Sequence, residues 1–380
     1  MANQAIRQEI NLLVSTGISS GTLTLDGNVE LDTTKYDSNT TYWFEAVYAG
    51  AASNTGTIKL HDIAAASNVA SLTGATSGTY IISRVQFTPT AGAREYMVQL
   101  VGDGTRTQVV NAARIIILQS ETSITKTQTQ IEIGSESTGL SNTTVADITT
   151  PKFWNYTAGN WDGTTTFFVE VVWRTSAKNT TTITLCRTSD NAANVTVVNA
   201  GSNSTGYTRT RVSFTPVNGE TYKLRSLGST TKSNYSIRQG KIIVVQTNTP
   251  TKISPQFLIL DQLDSTVVVS NLARCFTTWN LGEWDAGAGT VTYYHAMDSD
   301  NAANSIKLRN VTDSDDVTST VTGSGQQVSS ALTVGAGELV TGKNYDCWVI
   351  DSTGAIASSR ILVLYVFVAT AARRIFVTGG

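Results

Sequence analysis

The chain is 380 residues long, more than one compact sandwich needs and about right for two or three domains. Charged residues make up 15% of it and hydrophobic ones 40%, and 27 Lys and Arg stand against 29 Asp and Glu, a formal charge of −2. Hydrophobic runs at low net charge exclude a disordered chain, and near-neutrality offers no overall field to gather nucleic acid or an anionic membrane. Thr, Ser, Asn and 30 Gly take the place of the missing charge, the mixture of strands joined by turns.

At the start, residues 1–10 carry no apolar stretch behind a basic end, so no secretory signal is expected. Residues 4–13 are the one place where a helical period of apolar residues could hold. Strands are then expected at 10–14, 41–48, 57–60, 84–89, 95–100 and 113–119. The same succession returns at 130–133, 166–173, 182–185, 211–216, 221–226 and 240–246, and more loosely at 256–260, 290–297, 305–308, 344–350 and 359–365. The words that carry the repeat are specific. Arg84-Val85-Gln86-Phe87-Thr88-Pro89 returns as Arg211-Val212-Ser213-Phe214-Thr215-Pro216, and the last strands open with a small residue and a base, Ala113-Arg114, Gly240-Lys241 and Ser359-Arg360. Fixed-period self-similarity outranks local propensity as a fold signal. Within the strands apolar and polar residues alternate, as Val212 and Phe214 against Arg211 and Ser213, which is the period of a half-buried strand. Each unit therefore buries one face of two sheets against each other.

The domains are placed at 1–120, with a short N-terminal arm, at 121–250 and at 251–369, followed by a tail at 370–380. Thr-rich connections at 121–130 and 247–255, stiffened by β-branching and proline, suggest an elongated arrangement. The longest apolar run, 361–369, has the length of a strand and not of a membrane span. Three cysteines, Cys186, Cys275 and Cys347, form no metal or disulfide pattern and read as buried thiols.

The order Phe-x-Val-Glu-Val (167–171 in the second unit), Thr-Ile-x-Leu, Arg-Val-x-Phe-Thr-Pro, Thr-Tyr-x-Leu and Ile-Ile-Val-Val resembles the galactose-binding-like jelly rolls, the fold of many carbohydrate-binding modules. Residues 306–313 followed by 360–364 look like jelly-roll domains of bacteriophage virion proteins. The resemblance implies an all-β chain of three tandem jelly-roll β-sandwich domains. It implies a non-enzymatic virion structural protein, a capsid decoration or cement protein or a head or tail fibre. Its partners are then other virion proteins, such as major capsid or tail proteins, and further copies of itself. Its place is the virion, after synthesis in the host cytoplasm. The alternative is an array of carbohydrate-binding modules that recognises surface glycans.

Candidate site residues follow from residue type. His61 and His295 occupy unrelated places in the repeat, and no nucleophile, P-loop or metalloprotease motif occurs, so no catalytic residue and no cofactor is expected. Trp154, Tyr156, Trp161 and Asp162 form one aromatic loop, and Trp279, Trp284 and Asp285 a second, ahead of the front strands. Rings of this kind stack on sugars while Asp binds hydroxyls, or they cover the end of a sandwich; the second use is the commoner. Asp298, Asp300, Asp313 and Asp315 could supply oxygen ligands to Ca²⁺, which is frequent in the resembled fold, but Asp and Asn also favour turns for their own sake. Ile375, Phe376 and Val377 in the tail have no sandwich of their own and could add a strand to a neighbour's sheet edge.

Overall fold

A computed structural model describes residues 5–366 apart from 13–16, 20, 54, 77, 79, 121–123, 135–136, 141–142, 149–153, 176–179, 201–205, 229–234, 251–255, 262–264, 268–276, 279–290, 300–304, 318–320, 323–330, 333–338 and 351–356. Among the described residues there is no α-helix, and none is long and apolar enough to cross a membrane. The alternation read in the sequence is realised as burial. Residues 57–62 alternate between half-buried and buried, and so do residues 221–228, every second side chain entering the core.

The first repeat comprises β1 (Ala5–Asn11), β2 (Gly17–Ser19), β3 (Thr22–Asp32), β4 (Thr41–Gly50), β5 (Thr57–Asp62), β6 (Ser67–Thr73), β7 (Ile81–Phe87), β8 (Ala93–Val101) and β9 (Gln108–Ser120). One sheet runs β1-β9-β4-β7, with β2 also on β9, and the other runs β3-β8-β5-β6. Taking β1 and β2 as one interrupted strand, the eight positions lie in the orders 1-8-3-6 and 2-7-4-5, all pairs antiparallel. That is the double Greek key of a jelly roll.

The second repeat comprises β10 (Lys126–Gly134), β11 (Ser137–Leu140), β12 (Ala146–Asp147), β13 (Trp154–Asn155), β14 (Thr164–Thr175), β15 (Thr181–Arg187), β16 (Ala193–Ala200), β17 (Thr208–Phe214), β18 (Thr221–Gly228) and β19 (Tyr235–Thr247). Its sheets have the same two orders, β10-β19-β14-β17 and β12-β18-β15-β16, with β11 on β19 and β13 on β18. The third comprises β20 (Gln256–Asp261), β21 (Ser265–Val267), β22 (Thr277–Thr278), β23 (Val291–Ser299), β24 (Ser305–Asn310), β25 (Asp315–Asp316), β26 (Val321–Thr322), β27 (Ala331–Leu332), β28 (Asn344–Ile350) and β29 (Ala357–Val366). Its sheets, β20-β29-β23-β27 and β22-β28-β24-β25, repeat the pattern again. The chain divides into two compact units, Met1–Ile124 together with Pro255–Ala372, and a second built on Thr125–Ser254.

Two details differ from the reading of the sequence. The segment 4–13 is not helical: from Ala5 to Asn11 it is β1, whose partners on β9 fix it as an extended edge. Thr-rich residues 126–130 are not linker but the start of β10, paired from Lys126 with Thr247, so the first connection is shorter than expected.

The cores are built from both sheets. In the first repeat Phe44, Ile115 and Ile117 meet Val29, Leu31, Ile58, Leu60 and Val98, and in the second Val169, Val171, Ile242 and Val244 meet Ile183, Leu185 and Leu224. The turn between the sixth and seventh strand positions is closed in the same way three times. Tyr96, Tyr222 and Tyr345 are fully buried, and their phenol oxygens accept the backbone N–H of Thr90 (3.3 Å), Val217 (2.7 Å) and Val340 (2.7 Å). Two residues beyond each donor stands a glycine at positive φ: Gly92 (87°), Gly219 (84°) and Gly342 (83°). In the second and third repeats it is the third residue of a four-residue turn, Glu220 N–H bonding Val217 O and Lys343 N–H bonding Val340 O. A side chain disfavours that backbone, which selects glycine.

Replacing Tyr222 by Phe keeps the ring but strands the Val217 N–H. The expected loss is about 1–2 kcal/mol, read as a lower urea midpoint for the second repeat, with the fold retained by circular dichroism.

Candidate functional site

In the first two repeats the strand at the third position, central in the first sheet, carries side chains to the core and to the opposite face. On that opposite face the strand register sets a carboxylate between bases. Glu45 on β4 pairs with Arg114 on β9 and Arg84 on β7, and Glu170 on β14 pairs with Lys241 on β19 and Arg211 on β17. These are equivalent places in the two repeats. The face is closed to water, with Glu45, Arg114, Glu170 and Lys241 at 3% exposure or less. Buried charge is tolerated only when paired and hydrogen-bonded.

In the first repeat, two glutamates lie between two arginines. Arg7 donates through Nε (2.9 Å) and Nη2 (2.6 Å) to Glu9 Oε1, and Arg114 Nη1 donates to Glu9 Oε2 at 3.2 Å. Arg114 Nε stands 3.2 Å and Arg7 Nη2 4.0 Å from Glu45 Oε1. Burial pushes the Glu45 carboxyl above its ordinary value, while Arg114 and Arg7 hold it down. Beside them the Arg84 guanidinium lies 4.2 Å from the centre of the Trp43 ring.

In the second repeat, Glu170 Oε2 accepts from Arg211 Nε (2.9 Å) and Nη2 (2.6 Å), and Arg209 Nε is 3.6 Å from Oε1. Lys241 donates to the neutral Gln130 Oε1 at 2.9 Å. Desolvation of this ammonium, only partly offset by Glu170 and Glu132, brings its pKa down from 10.5 to about 8. Gly240 precedes it because a Cβ there would run into Leu224, which explains the small residue before the base. In the third repeat Arg360 does not take the corresponding place. It falls at the irregularity of β29, where Ala296 pairs with Ile361 and Met297 with Ser359. The equivalent residue of β19 is Arg238, three positions before Lys241.

Chemically this face registers strands by charge. It brings together carboxylates already paired with guanidinium groups, and no histidine or thiol is among its residues. Sequence reasoning missed it as a constellation, although its members were visible: an acid inside an apolar strand and bases at the heads of two others.

The aromatic loop of the second repeat is core. Trp154 is fully buried, its ring 5.4 Å from Tyr156, 5.9 Å from Phe167 and 5.7 Å from Tyr222. Trp161, 7% exposed, stands edge-on to Phe167 at 5.9 Å. Neither ring offers a face to a sugar, because hydrophobic burial claims both. Tyr156 is partly exposed with its edge on Phe167, and Asp162 serves through its backbone oxygen, which accepts from Thr165 Oγ1 and Gln246 Nε2. The first repeat repeats the device. A turn of 3-10 helix at Thr33–Lys35 leads to the buried Tyr36, edge-on to Tyr42, as the turn at Ala158–Asn160 leads to Trp161. The aromatic residue before Asp37 and Asp162 is thus a plug for one end of the sandwich.

The acidic turn of the third repeat is likewise spent on itself. Asp313 accepts from Asn310 Nδ2 and Lys343 Nζ, both at 2.8 Å, Asp315 accepts the Asp316 N–H, and Asp316 pairs with Arg309. These bonds hold the hairpin between β24 and β25, and among the described residues no three acids, histidines or cysteines come together as metal ligands. Ser189 to Asn194 makes the matching hairpin turn between β15 and β16, with Asp190 accepting the Ala192 N–H. Cys186 is a buried free thiol beside Thr184. Trp279, Trp284, Asp285, Asp300, Ile375, Phe376 and Val377 lie outside the described residues, and of Asp298 only its place in β23 is described.

No protein-family model and no curated protein matches the sequence. Among solved structures, the chain is similar to a tandem pair of CBM22 domains from the Xyn10C of Paenibacillus barcinonensis, at 9% identity and TM-score 0.19, covering 62% of this chain and 98% of that one. It is also similar to the VP2 subviral particle of infectious bursal disease virus, at 10% identity and TM-score 0.24, covering 96% and 80%. A third is a triple jelly roll from the turret of an archaeal virus, at 11% identity and TM-score 0.21, covering 96% of each. At these scores the likenesses carry no functional argument, and the jelly-roll assignment rests on the strand order itself.

Two outcomes follow from the geometry. Glu170→Ala leaves Arg211, Arg209 and Lys241 without their carboxylate and is expected to cost about 3–5 kcal/mol, whereas Lys241→Met removes a poorly compensated charge and is expected to cost under about 1 kcal/mol or to stabilise; urea midpoints at pH 7 compare them. The pH dependence has a definite sign. Below about 8 Lys241 is charged in folded and unfolded chains alike, and its fall from 10.5 to about 8 corresponds to a burial cost of about 3 kcal/mol. Between about 8 and 10.5 the folded protein sheds this proton first, so the cost is relieved as pH rises. The stability of wild type relative to Lys241→Met should therefore rise from pH 7 to pH 10; a relative stability that stays constant or falls contradicts the assignment.

Proposed function

We propose that this protein is a non-enzymatic structural subunit of a virus-like particle, a capsid decoration or cement protein or a fibre, that binds neighbouring virion subunits through its sandwich surfaces. One observation carries the reading. The same jelly roll is built three times, and in the two repeats whose side chains are described throughout the core, its charged and aromatic constellations are consumed by the fold: Glu45 and Glu170 by bases, Trp154, Trp161 and Tyr36 by the cores. What such domains present outwards is broad polar β-surface, suited to contact and to many weak grips acting together. Near-neutral charge lets copies pack closely without strong repulsion.

The glycan-binding alternative now falls on the partly exposed Tyr156 and on Trp279, Trp284 and Asp285 of the third repeat. A pair of measurements separates the two. Ordered assemblies seen by electron microscopy of the purified protein, alone or mixed with particles lacking it, together with a silent glycan array, are expected. Strong array binding abolished by Trp284→Ala, with no assembly, overturns the structural reading in favour of the other.

A further inference from the structure

One pair in the charged row of the second repeat differs in chemistry from its counterpart in the first. Lys241 Nζ donates to Gln130 Oε1 at 2.9 Å, and both residues are buried. At the same two places the register of the first repeat sets Arg114 and Glu9, an ordinary ion pair at 3.2 Å. The second repeat thus has an amine in place of the guanidinium and a carboxamide in place of the carboxylate. It also has Glu132 opposite the base, where the first repeat has Asn11.

As a hydrogen bond the pair is ill matched, because an amide oxygen balances a buried ammonium less well than a carboxylate does. As a pair of reactants it is well matched. An amine becomes a nucleophile on losing its proton, whereas a guanidinium keeps its own. A carboxamide carbon is an electrophile with ammonia as its leaving group, and a carboxylate has no such group.

We propose that Lys241 and Gln130 condense to an isopeptide bond that ties β10 to β19 within the second repeat. The carbonyl carbon lies one C=O length, about 1.2 Å, behind the oxygen, so Nζ is at most about 4.1 Å from Cδ. Reacting atoms in near-attack arrangements stand about 3–3.5 Å apart, and little of the approach remains. Facing the amine are Glu132 on β10 and Glu170 on β14, with Arg209 and Arg211 of β17 holding Glu170. The ammonium gives one proton to Glu132. Nζ then bonds to Cδ, the Cδ–Nε2 bond breaks, and a second proton moves from Nζ to Nε2, which leaves as ammonia. Oε1 stays as the carbonyl oxygen, and no oxidant or reductant takes part. Desolvation assists by lowering the Lys241 pKa to about 8, which raises the neutral fraction of the amine. Burial also keeps water from the carbon, favouring the new amide over hydrolysis. The bond spans 111 positions and joins the first strand of the repeat to the last, so the edge strand β10 can no longer peel from its sheet. It does not depend on the virion reading, since it is measured on the protein alone.

Intact-mass spectrometry of the full chain tests it after incubation at pH 7 and pH 9. Wild type is expected to become lighter by one ammonia, about tenfold faster at pH 9, the ratio of neutral amine at the two values. A digest should then give one branched peptide joining the segments around Gln130 and Lys241. Protein already lighter by that amount when purified, with the branched peptide, supports the bond equally. The double variant Lys241→Arg, Gln130→Glu, which installs the ion pair of the first repeat, should fold and keep its full mass. An unchanged wild-type mass at both pH values overturns the proposal. So does a loss of ammonia without the branched peptide, or one that the double variant retains, because asparagine elsewhere can lose the same mass. Hydrolysis of Gln130 to glutamate, read as a slightly heavier chain with no branch, overturns it too. The stabilities expected for Lys241→Met refer to wild type before the bond forms.

Discussion

In the first two repeats the pairing of the strands is governed by a carboxylate held between bases on a sheet whose both faces are dry. Glu45 and Glu170 sit at the centre of strands that are otherwise apolar, and the strands beside them each contribute a base in register. A slip of one residue would send those charges into the core and the aliphatic set outwards. The ion pairs therefore fix register more than they add stability, since desolvation offsets most of their Coulombic gain. The two repeats solve the problem differently. The first balances two glutamates with two arginines, whereas the second gives Glu170 to Arg209 and Arg211 and leaves Lys241 to an amide.

Six of the eight strand positions were legible because their alternation and their repeated words coincide. The second and fifth positions were not. In the second repeat the second is broken into β12 and β13, two residues each, too short to show a period, and in the first it is the eleven-residue β3, whose alternation is interrupted where its register shifts between Leu25 and Val29. The fifth, β6, lies at a sheet edge and buries only Leu72 of its seven residues, so its pattern is weak. β10 was hidden by its Thr-rich start, since composition alone does not distinguish a linker from a strand buried on both sides.

The candidate site was less legible than the fold. Trp154 and Trp161 read in the sequence either as stacking rings for a sugar or, the commoner use, as covers for the end of a sandwich, and burial settles their use as the second. The glutamate-and-base row is the reverse case. Each member is unremarkable in the chain, and only strand pairing between residues more than 60 apart brings Glu170 to Lys241.

The irregularity in the last strand of each repeat has a wider consequence. One extra residue enters at the same step three times, Asn111, Arg238 and Arg360. A bulge residue stands outside the in-and-out rhythm of its strand, so its identity is uncoupled from the packing on either side. It gives the triplicated design a place where one copy can acquire a new recognition property by a single codon change while its siblings stay as they were. Divergence of surface among domains of one architecture then needs no renegotiation of the interior.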